Sequence, residues 1–152
     1  MERSGPPLFA QPLATWERDG LKATLARAGL PVDDIDDAGP AGPLFWRFER
    51  DDVPVGFAGI EVHGPDALLR SLVTLPPLRL QGIGGGMVEK MEVEARARGA
   101  RAIYLLTETS ADFFAGLGYA PCARDRVPAA IAATAQFARL CPASATVMAK
   151  SI

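Results

Sequence analysis

A cluster of glycines behind a single arginine is the stretch of this sequence best suited to hold a ligand. Arg79 is followed by glycines at positions 82, 84, 85 and 86. Glycine has no Cβ, so a ligand can approach the backbone closely there. If a helix begins at these glycines, its free N–H groups and the positive end of its dipole face an anion. Because a guanidinium pairs well with phosphate, Arg79 and the glycines together predict a phosphate-binding loop.

Two common phosphate-binding patterns do not fit this loop. The dinucleotide pattern G-x-G-x-x-G, started at Gly82, needs a glycine where Met87 stands. The P-loop pattern needs Gly-Lys-Ser/Thr, and none follows in the sequence. What remains is the spacing Arg79-x-x-Gly82-x-Gly84, between an apolar strand pattern and an amphipathic helix pattern.

The segments on either side of the loop predict the elements that must position it. Before the loop, three strand patterns joined by tight turns cover residues 44–50, 54–63 and 67–75, which predicts an antiparallel meander. After the loop, a helix that ends at Gly99 and a strand at 101–106 predict a parallel crossover.

The predicted helix after the loop is amphipathic. Met87, Met91 and Ala95 form its apolar stripe, and Glu92 is among its polar residues. The other predicted elements are an edge strand at 8–10, a helix at 14–28, a capped helix from Thr109, a last helix at 128–139 and a strand at 145–150.

The loop resembles the acyl-CoA pyrophosphate loop of the GCN5-related N-acetyltransferases (GNAT), usually written Arg/Gln-x-x-Gly-x-Gly/Ala. Leu80 departs from the family, which often has glycine there. About thirty residues later, FFAGLGY at residues 113–119 resembles the second family signature: an aromatic residue, two spacers, Leu-Gly, and Phe or Tyr. Two signatures in the right order are much harder to obtain by chance than one. The resemblance covers most of the chain from Leu44 onward.

This resemblance implies an α/β (α+β) fold in one domain over residues 1–152. The implied architecture has a mixed, mostly antiparallel central sheet, splayed between its parallel strands, with helices on both faces. Three further segments, at 66–73, 127–131 and 136–145, resemble the acetyltransferases encoded in arsenic-resistance operons. That narrower resemblance suggests a branch of the family and does not fix a substrate.

Acetyl-CoA is the cosubstrate that the resemblance implies, and a primary amine of a small amino-acid-like molecule is the implied acceptor. The backbone at residues 72–74 would pair with the pantetheine arm, and the N–H near Val73 would stabilise the oxyanion. The implied coenzyme-binding residues are Leu72, Val73, Thr74, Arg79, Leu80, Gln81, Gly82, Ile83, Gly84, Gly85, Phe113 and Phe114.

The chemistry also needs a base for the amine, and it is helped by an acid for the leaving thiolate. Glu61 is the first candidate for the base, His63 on the same strand face the second, and Glu108 the third, although paired polar residues on a strand are often only its solvent face. Phe114 stands where many relatives carry a tyrosine acid. The acid therefore stays open between Tyr119, Ser110, water and unaided departure of the thiolate.

Two arginines and an acidic segment are candidates for contact with the acceptor. Arg47 and Arg70 could bind a carboxylate or an arsenic or phosphorus oxyanion, although surface positions are the simpler alternative. Residues 31–37 form either a solvated loop or part of a lid whose carboxylates attract an ammonium group. Alternative functions are a protein N-acetyltransferase, a non-catalytic acyl-CoA-binding sensor, and an arsenic-binding protein that uses Cys122 and Cys141.

Composition excludes several classes of partner. The chain has 152 residues, of which 49% are hydrophobic, with a formal net charge of −2 and two cysteines. An acidic balance argues against nucleic-acid and anionic-membrane binding. One histidine and two distant cysteines predict no metal site. With no signal peptide or membrane span in the sequence, we expect a cytoplasmic protein with reduced thiols. Family members often form homodimers, and the C-terminal strand is a candidate for exchange.

Overall fold

A computed structural model describes residues 8–36, 42–75 and 82–152. Within these ranges the chain forms seven strands and four α-helices, and no helix is long and apolar enough to cross a membrane. In chain order the elements are β1 (Phe9–Pro12), α1 (Arg18–Arg27), β2 (Leu44–Arg50), β3 (Val53–His63), β4 (Asp66–Thr74), α2 (Ile83–Ala97), β5 (Ala102–Thr107), α3 (Ala111–Ala115), β6 (Ala120–Pro121), α4 (Ala129–Ala132) and β7 (Thr146–Ser151).

The strands form one sheet in the order β1-β2-β3-β4-β5-β7-β6. Strands β2, β3 and β4 are the predicted antiparallel meander, and β4 pairs with β5 in parallel across α2. The tight turn between β2 and β3 places Asp51 and Asp52 at φ values of 55° and 62°, the left-handed conformation that two-residue hairpins favour. The mixed, mostly antiparallel sheet of the sequence prediction is confirmed.

Helices cover both faces of the sheet. On one face the α2 residues Met87, Met91 and Ala95 are fully buried in the largest core cluster, so the predicted apolar stripe is confirmed. On the other face Leu21 of α1 and Ile131 of α4 belong to two separate apolar clusters. Since burial of apolar surface is the main favourable term in folding, these clusters fix the sheet between the two helix layers.

Glu92 is buried rather than solvated, unlike the other polar residues predicted for α2. Its Oε2 accepts a hydrogen bond of 2.9 Å from the Tyr119 hydroxyl and lies 3.0 Å from Lys150 Nζ on β7. Burial, together with the charge of Glu92 and this hydrogen bond, raises the pKa of Tyr119, so the phenol stays protonated as the donor. A buried charge needs such partners, and here they connect α2 to β7.

The predicted helix at 128–139 is wrong in its length. The helix α4 ends at Ala132, and a separate π-helical turn covers Gln136–Leu140. Thr134 lies between them, and its Oγ1 donates to the carbonyl oxygen of Ile131 at 2.7 Å. A hydroxyl that bonds the local backbone competes with continuation of the helix. The local alanine-rich sequence does not reveal this break.

The C-terminal strand lies inside the sheet. Strand β7 pairs with β5 over six residues on one side and with β6 over two on the other. A strand with partners on both edges would have to leave one of them before it could exchange with a second copy. Within the described residues, β6 covers only Met148 and Ala149 on that edge of β7, and the predicted homodimer stays a prediction.

Close approach of the backbone at Gly56 joins three elements. A Cβ built on Gly56 in β3 would lie 2.6 Å from the carbonyl oxygen of Val73 in β4 and 2.7 Å from Met87 Sδ in α2. Real Cβ atoms do not come so near to other heavy atoms, so only glycine fits there without displacement of the neighbours. Gly20 in α1 is the opposite case, because a Cβ added there would have nothing within 4 Å.

These two glycines give a matched test of the packing. We expect Gly56→Ala to lower the free energy of unfolding by about 2 kcal/mol, because the new methyl group overpacks the junction of β3, β4 and α2. Gly20→Ala should instead raise it by up to about 1 kcal/mol, because alanine favours the helix. Denaturant unfolding of both variants measures the difference, and equal effects of the two would contradict the described packing.

Candidate functional site

The sheet opens between its two parallel strands. Strands β4 and β5 pair at only three positions, of which Leu68↔Tyr104 is the last, although β4 continues to Thr74 and β5 to Thr107. Beyond Leu68 the strands diverge, as the resemblance implies. A cleft of about 960 Å³ occupies this opening and is lined by residues of both strands, the start of α2, the α3 segment and the end of α1.

A bulge in β4 lies within the part of this strand that lines the cleft. The register changes from Phe57↔Val73 to Gly59↔Arg70, so β4 carries one extra residue there. Ser71 has φ 57°, a left-handed conformation that costs energy for a residue with a side chain. Bulges re-aim the strand that follows them. The backbone of the predicted coenzyme residues Leu72–Thr74, all of which line the cleft, follows this bulge.

The N-terminus of α2 forms one end of the cleft. Gly82 has φ 73° and precedes the first turn, whose N–H groups receive no side-chain cap from the described residues. Gly82, Gly84 and Gly85 line the cleft. The fourth glycine does not: a Cβ on Gly86 would lie 3.0 Å from Leu8 Cδ2, away from the cleft. Ile83 is fully buried, so only its backbone is available to a ligand.

Three predicted coenzyme residues, Arg79, Leu80 and Gln81, lie outside the described residues. The remaining two, Phe113 and Phe114, line the cleft beside Ser110. Their rings meet edge to face with centroids 4.9 Å apart. Ser110 N donates to Thr107 Oγ1 at 2.9 Å, which fixes the turn from β5 into α3.

A buried ion-pair network lies on the α1 and α4 side of the sheet. Arg70 Nη1 and Nη2 donate to the two carboxylate oxygens of Asp34 at 2.5 and 2.6 Å, and Nη1 also donates to Glu61 Oε2 at 2.7 Å. Burial by itself would lower the pKa of Arg70, but the hydrogen bonds and charges of Asp34 and Glu61 outweigh it and raise the pKa. The guanidinium therefore stays charged and already has two carboxylates as partners.

Asp34 is a site residue that the sequence analysis did not single out. It lies in the acidic segment, where Asp34 and Ile35 are buried while Asp33 and Asp36 are exposed. The segment is therefore not the simple solvated loop that was one of its two interpretations. The signal that could have found this was Ile35, an apolar residue inside an acidic run, which requires one side of the segment to be buried.

Only one of the three candidate bases lines the cleft, and that residue is Glu108. Glu61 is 6% exposed and bound to Arg70, and its Oε1 lies 3.4 Å from His63 Nε2 on the side away from that guanidinium. Among the candidate acids, Ser110 lines the cleft, whereas the Tyr119 hydroxyl is bound to Glu92.

The two predicted acceptor-binding arginines lie in different places. Arg70 is 4% exposed and lines the cleft. Arg47 does not line it: its Nε donates to Glu49 Oε2 at 2.7 Å, and its Nη1 is paired with Glu17. Neither arginine is the solvated surface residue of the simpler alternative.

Gln136 and Cys141 also line the cleft. Gln136 begins the π-helical turn and Cys141 directly follows it, and the sequence analysis missed this turn. Gln136 is 6% exposed, and its Nε2 lies 3.4 and 3.5 Å from the two oxygens of Asp34. The Cys141 thiol is 3.5 Å from Gln136 Oε1. Burial raises the pKa of this thiol, the nearby charges of Glu108 and Asp34 act in the same direction, and Arg70 opposes them.

Comparison with known proteins decides the family. The model of the acetyltransferase (GNAT) family matches residues 10–119. The chain belongs to the GNAT family. Among curated relatives, the amino-acid acetyltransferase of Pseudomonas fluorescens is 34% identical over 97 residues, which are 62% of this chain and 22% of that protein. This GNAT domain thus spans about a fifth of the length of that relative.

Solved structures show the same fold at low sequence identity. The N-acetylglutamate synthase of Neisseria gonorrhoeae, in complex with coenzyme A and N-acetyl-glutamate, superposes with a TM-score of 0.75 at 13% identity and covers 97% of this chain and 36% of its own. The ribosomal-protein-S18-alanine N-acetyltransferase of Escherichia coli gives 0.71 at 18% identity, with coverage of 96% and 94%. The predicted GNAT fold is confirmed.

The burial of the ion-pair network makes it testable by stability. We expect Arg70→Met to lower the free energy of unfolding by about 3–5 kcal/mol, because it leaves Asp34 and Glu61 buried without their cation. Arg98→Met is the control, because Arg98 is paired with Glu94 on an exposed helix surface and should cost less than about 1 kcal/mol. Denaturant unfolding measures both values, and a cost below about 1 kcal/mol for Arg70→Met would contradict the network.

Proposed function

We propose that this GNAT domain transfers the acetyl group of acetyl-CoA to the primary amine of a small amino-acid-like molecule. The observation that carries the proposal is the divergence of β4 from β5 after Leu68, which leaves the backbone of Leu72–Thr74 facing a cleft. An extended ligand arm can pair with that backbone as a neighbouring strand would. The cleft leads from the N-terminus of α2 to Arg70, the cation of the Asp34–Arg70 ion pair, and is thus a path from an anion site to a polar end.

Acetyl-CoA is the cosubstrate that fits this path. The diphosphate would bind the N–H groups at the start of α2, where Gly82, Gly84 and Gly85 admit it to the backbone. Arg79, Leu80 and Gln81 keep their predicted role beside it. The pantetheine arm would lie between β4 and the Phe113–Phe114 wall. The complex of the Neisseria synthase with coenzyme A supports this choice of ligand.

The thioester carbonyl would reach the bulged part of β4. The N–H of Val73 is our candidate for the oxyanion donor, because a backbone donor fixed in place before reaction stabilises developing charge most effectively. Glu108 is the base that we favour, directly or through one water, because it alone among the predicted bases lines the cleft. Ser110 is the candidate acid on the cleft wall.

The relatives support an amino acid as the acceptor class. The Pseudomonas relative is an amino-acid acetyltransferase, and the Neisseria synthase is bound to an acetylated amino acid. An arsenic-containing or phosphorus-containing amino acid is a member of this class that the narrower sequence resemblance suggests. The Escherichia structure, an enzyme for a ribosomal protein, supports a protein amine as the alternative. A cytoplasmic location stays a prediction.

A screen of amines by mass spectrometry tests the proposed reaction. We expect wild-type protein with acetyl-CoA to acetylate at least one free amino acid in a panel that includes arsenic and phosphorus analogues, and not peptide N-termini at a comparable rate. Glu108→Gln should lower kcat about 100-fold or more while coenzyme A binding is unchanged. Coenzyme binding without turnover on any amine would favour the sensor, and a larger loss for Glu61→Gln would return the role of base to Glu61.

The glycines at the start of α2 allow a test of coenzyme binding. We expect Gly84→Ala to bind coenzyme A at least about tenfold more weakly, because its methyl group enters the space between the first helical turn and the cleft wall, 3.1 Å from Phe113 Cζ. Gly86→Ala adds a methyl group in the same turn but toward Leu8, so its affinity should stay within about twofold of wild type. Titration calorimetry measures both. Equal affinities in all three proteins would contradict the placement of the diphosphate.

A further inference from the structure

The charges at the inner end of the cleft do not balance. Asp34, Glu61 and Arg70 are 2%, 6% and 4% exposed, and together they carry two carboxylates and one guanidinium. These three side chains sum to a formal charge of −1. A buried charge without compensation is costly, so this network favours a second cation over a further anion.

The geometry shows on which side of Arg70 a cation can enter. Glu61 is on the side of His63, and neither residue lines the cleft. On the other side are Asp34 and Gln136, and Gln136 and Arg70 both line the cleft. Asp34 itself does not line the cleft, but it lies directly behind Arg70 and Gln136, which do, so a group in the cleft reaches Asp34 past the side chain of Gln136.

Gln136 is poorly satisfied for a buried amide. Its Nε2 makes only long contacts of 3.4 and 3.5 Å to Asp34, near the limit for a hydrogen bond. In the described part of the chain, its Oε1 has only the Cys141 thiol as a donor, at 3.5 Å, and a thiol is a weak donor. The oxygen of this buried amide is thus available at the cleft wall to a stronger donor.

We propose that Asp34 and the Gln136 Oε1 atom bind the ammonium group of the acceptor, on the cleft side of the Asp34–Arg70 ion pair. The inference rests on the proposed function and names the group of the acceptor that this end of the cleft recognises. An ammonium group supplies the positive charge that the network lacks, and its three N–H donors match the outer lone pairs of Asp34 and the oxygen of Gln136. Arg70 then acts as the residue that positions Asp34.

In this assignment, Arg70 does not bind a carboxylate of the acceptor directly. A third carboxylate on the same guanidinium would raise the local excess to two negative charges in a buried place, which the Coulomb energy opposes. An acceptor that enters the cleft with its protonated amine first avoids this repulsion. The class of acceptor is therefore a free amino compound, bound by its protonated amine before that amine loses a proton to Glu108.

Steady-state kinetics with an amino acid found in the amine screen tests the assignment. We expect Asp34→Asn, which keeps the shape and removes the charge, to raise the acceptor KM about ten- to hundredfold, as expected for loss of a charge-assisted hydrogen bond. Gln136→Met should raise it about three- to tenfold. The KM for acetyl-CoA should stay unchanged in both variants. Glu92→Gln is the control, because it removes a buried carboxylate of similar exposure on the opposite face of the sheet.

A binding experiment gives a second measurement that does not depend on turnover. Calorimetry compares L-glutamate with 2-hydroxyglutarate, which lacks the ammonium group, each added to the complex with coenzyme A. Wild-type protein should bind L-glutamate, or another amino acid from the screen compared with its hydroxy acid, at least tenfold more tightly, and Asp34→Asn should abolish that preference. Gln136→Met provides the same comparison if Asp34→Asn fails to fold.

The outcomes separate this inference from the proposed function. Wild-type turnover with an unchanged acceptor KM in Asp34→Asn, or an equal rise in Glu92→Gln, would overturn the ammonium site and leave the acetyltransferase intact. An equal preference for amino acid and hydroxy acid in wild-type protein would do the same. Failure of wild-type protein to acetylate any amine would overturn both proposals together.

Discussion

The structure depends on one constraint: the backbone N–H and C=O groups of β4 need hydrogen-bond partners where this strand diverges from β5. After Leu68 the edge of β4 that faces β5 no longer has a strand beside it, and buried backbone N–H and C=O groups need partners. A cleft filled by solvent or by an extended ligand supplies them. The bulge at Ser71 lies in this segment, and the left-handed conformation there shows that the surrounding sheet keeps the strand in its re-aimed path. Both the coenzyme path and the acceptor end follow from this opening.

Contacts from both helix layers keep the cleft open. On one side Gly56 lets β3 and α2 approach the Val73 carbonyl without a side chain between them. On the other side Arg70 reaches from β4 to Asp34 and fixes the segment after α1 over the sheet. An isolated divergence of two strands would tend to close by collapse of apolar side chains. Here the network of Asp34, Glu61 and Arg70 opposes such a collapse, because a buried ion pair needs all of its partners in place.

Local patterns in the sequence were sufficient for the sheet and the coenzyme end of the site, and insufficient for the acceptor end. Period-two alternation and short turns specify the meander, and the glycines before Met87 specify the start of α2. The contact between Asp34 and Arg70 joins residues 36 positions apart, and that between Gln136 and Asp34 spans 102 positions. No periodicity encodes such pairs. The burial of Glu92 was not predicted for the same reason, since its partners Tyr119 and Lys150 are 27 and 58 positions away in the chain.

Phe114 bears on how the leaving group departs. Many relatives carry a tyrosine there, and a phenylalanine ring can donate no proton. A cysteine thiol has a pKa of about 8.5. The thiolate of coenzyme A, also an alkyl thiolate, is therefore a competent leaving group near neutral pH, and its departure needs an acid much less than that of an alkoxide does. The ring contributes apolar wall instead, packed edge-on to Tyr119 with centroids 5.8 Å apart. An apolar wall lowers the local dielectric constant, and this strengthens the hydrogen bond from the Val73 N–H to the oxyanion as it forms. Phenylalanine in place of the tyrosine acid at position 114 is therefore compatible with catalysis that is concentrated at the oxyanion and the base.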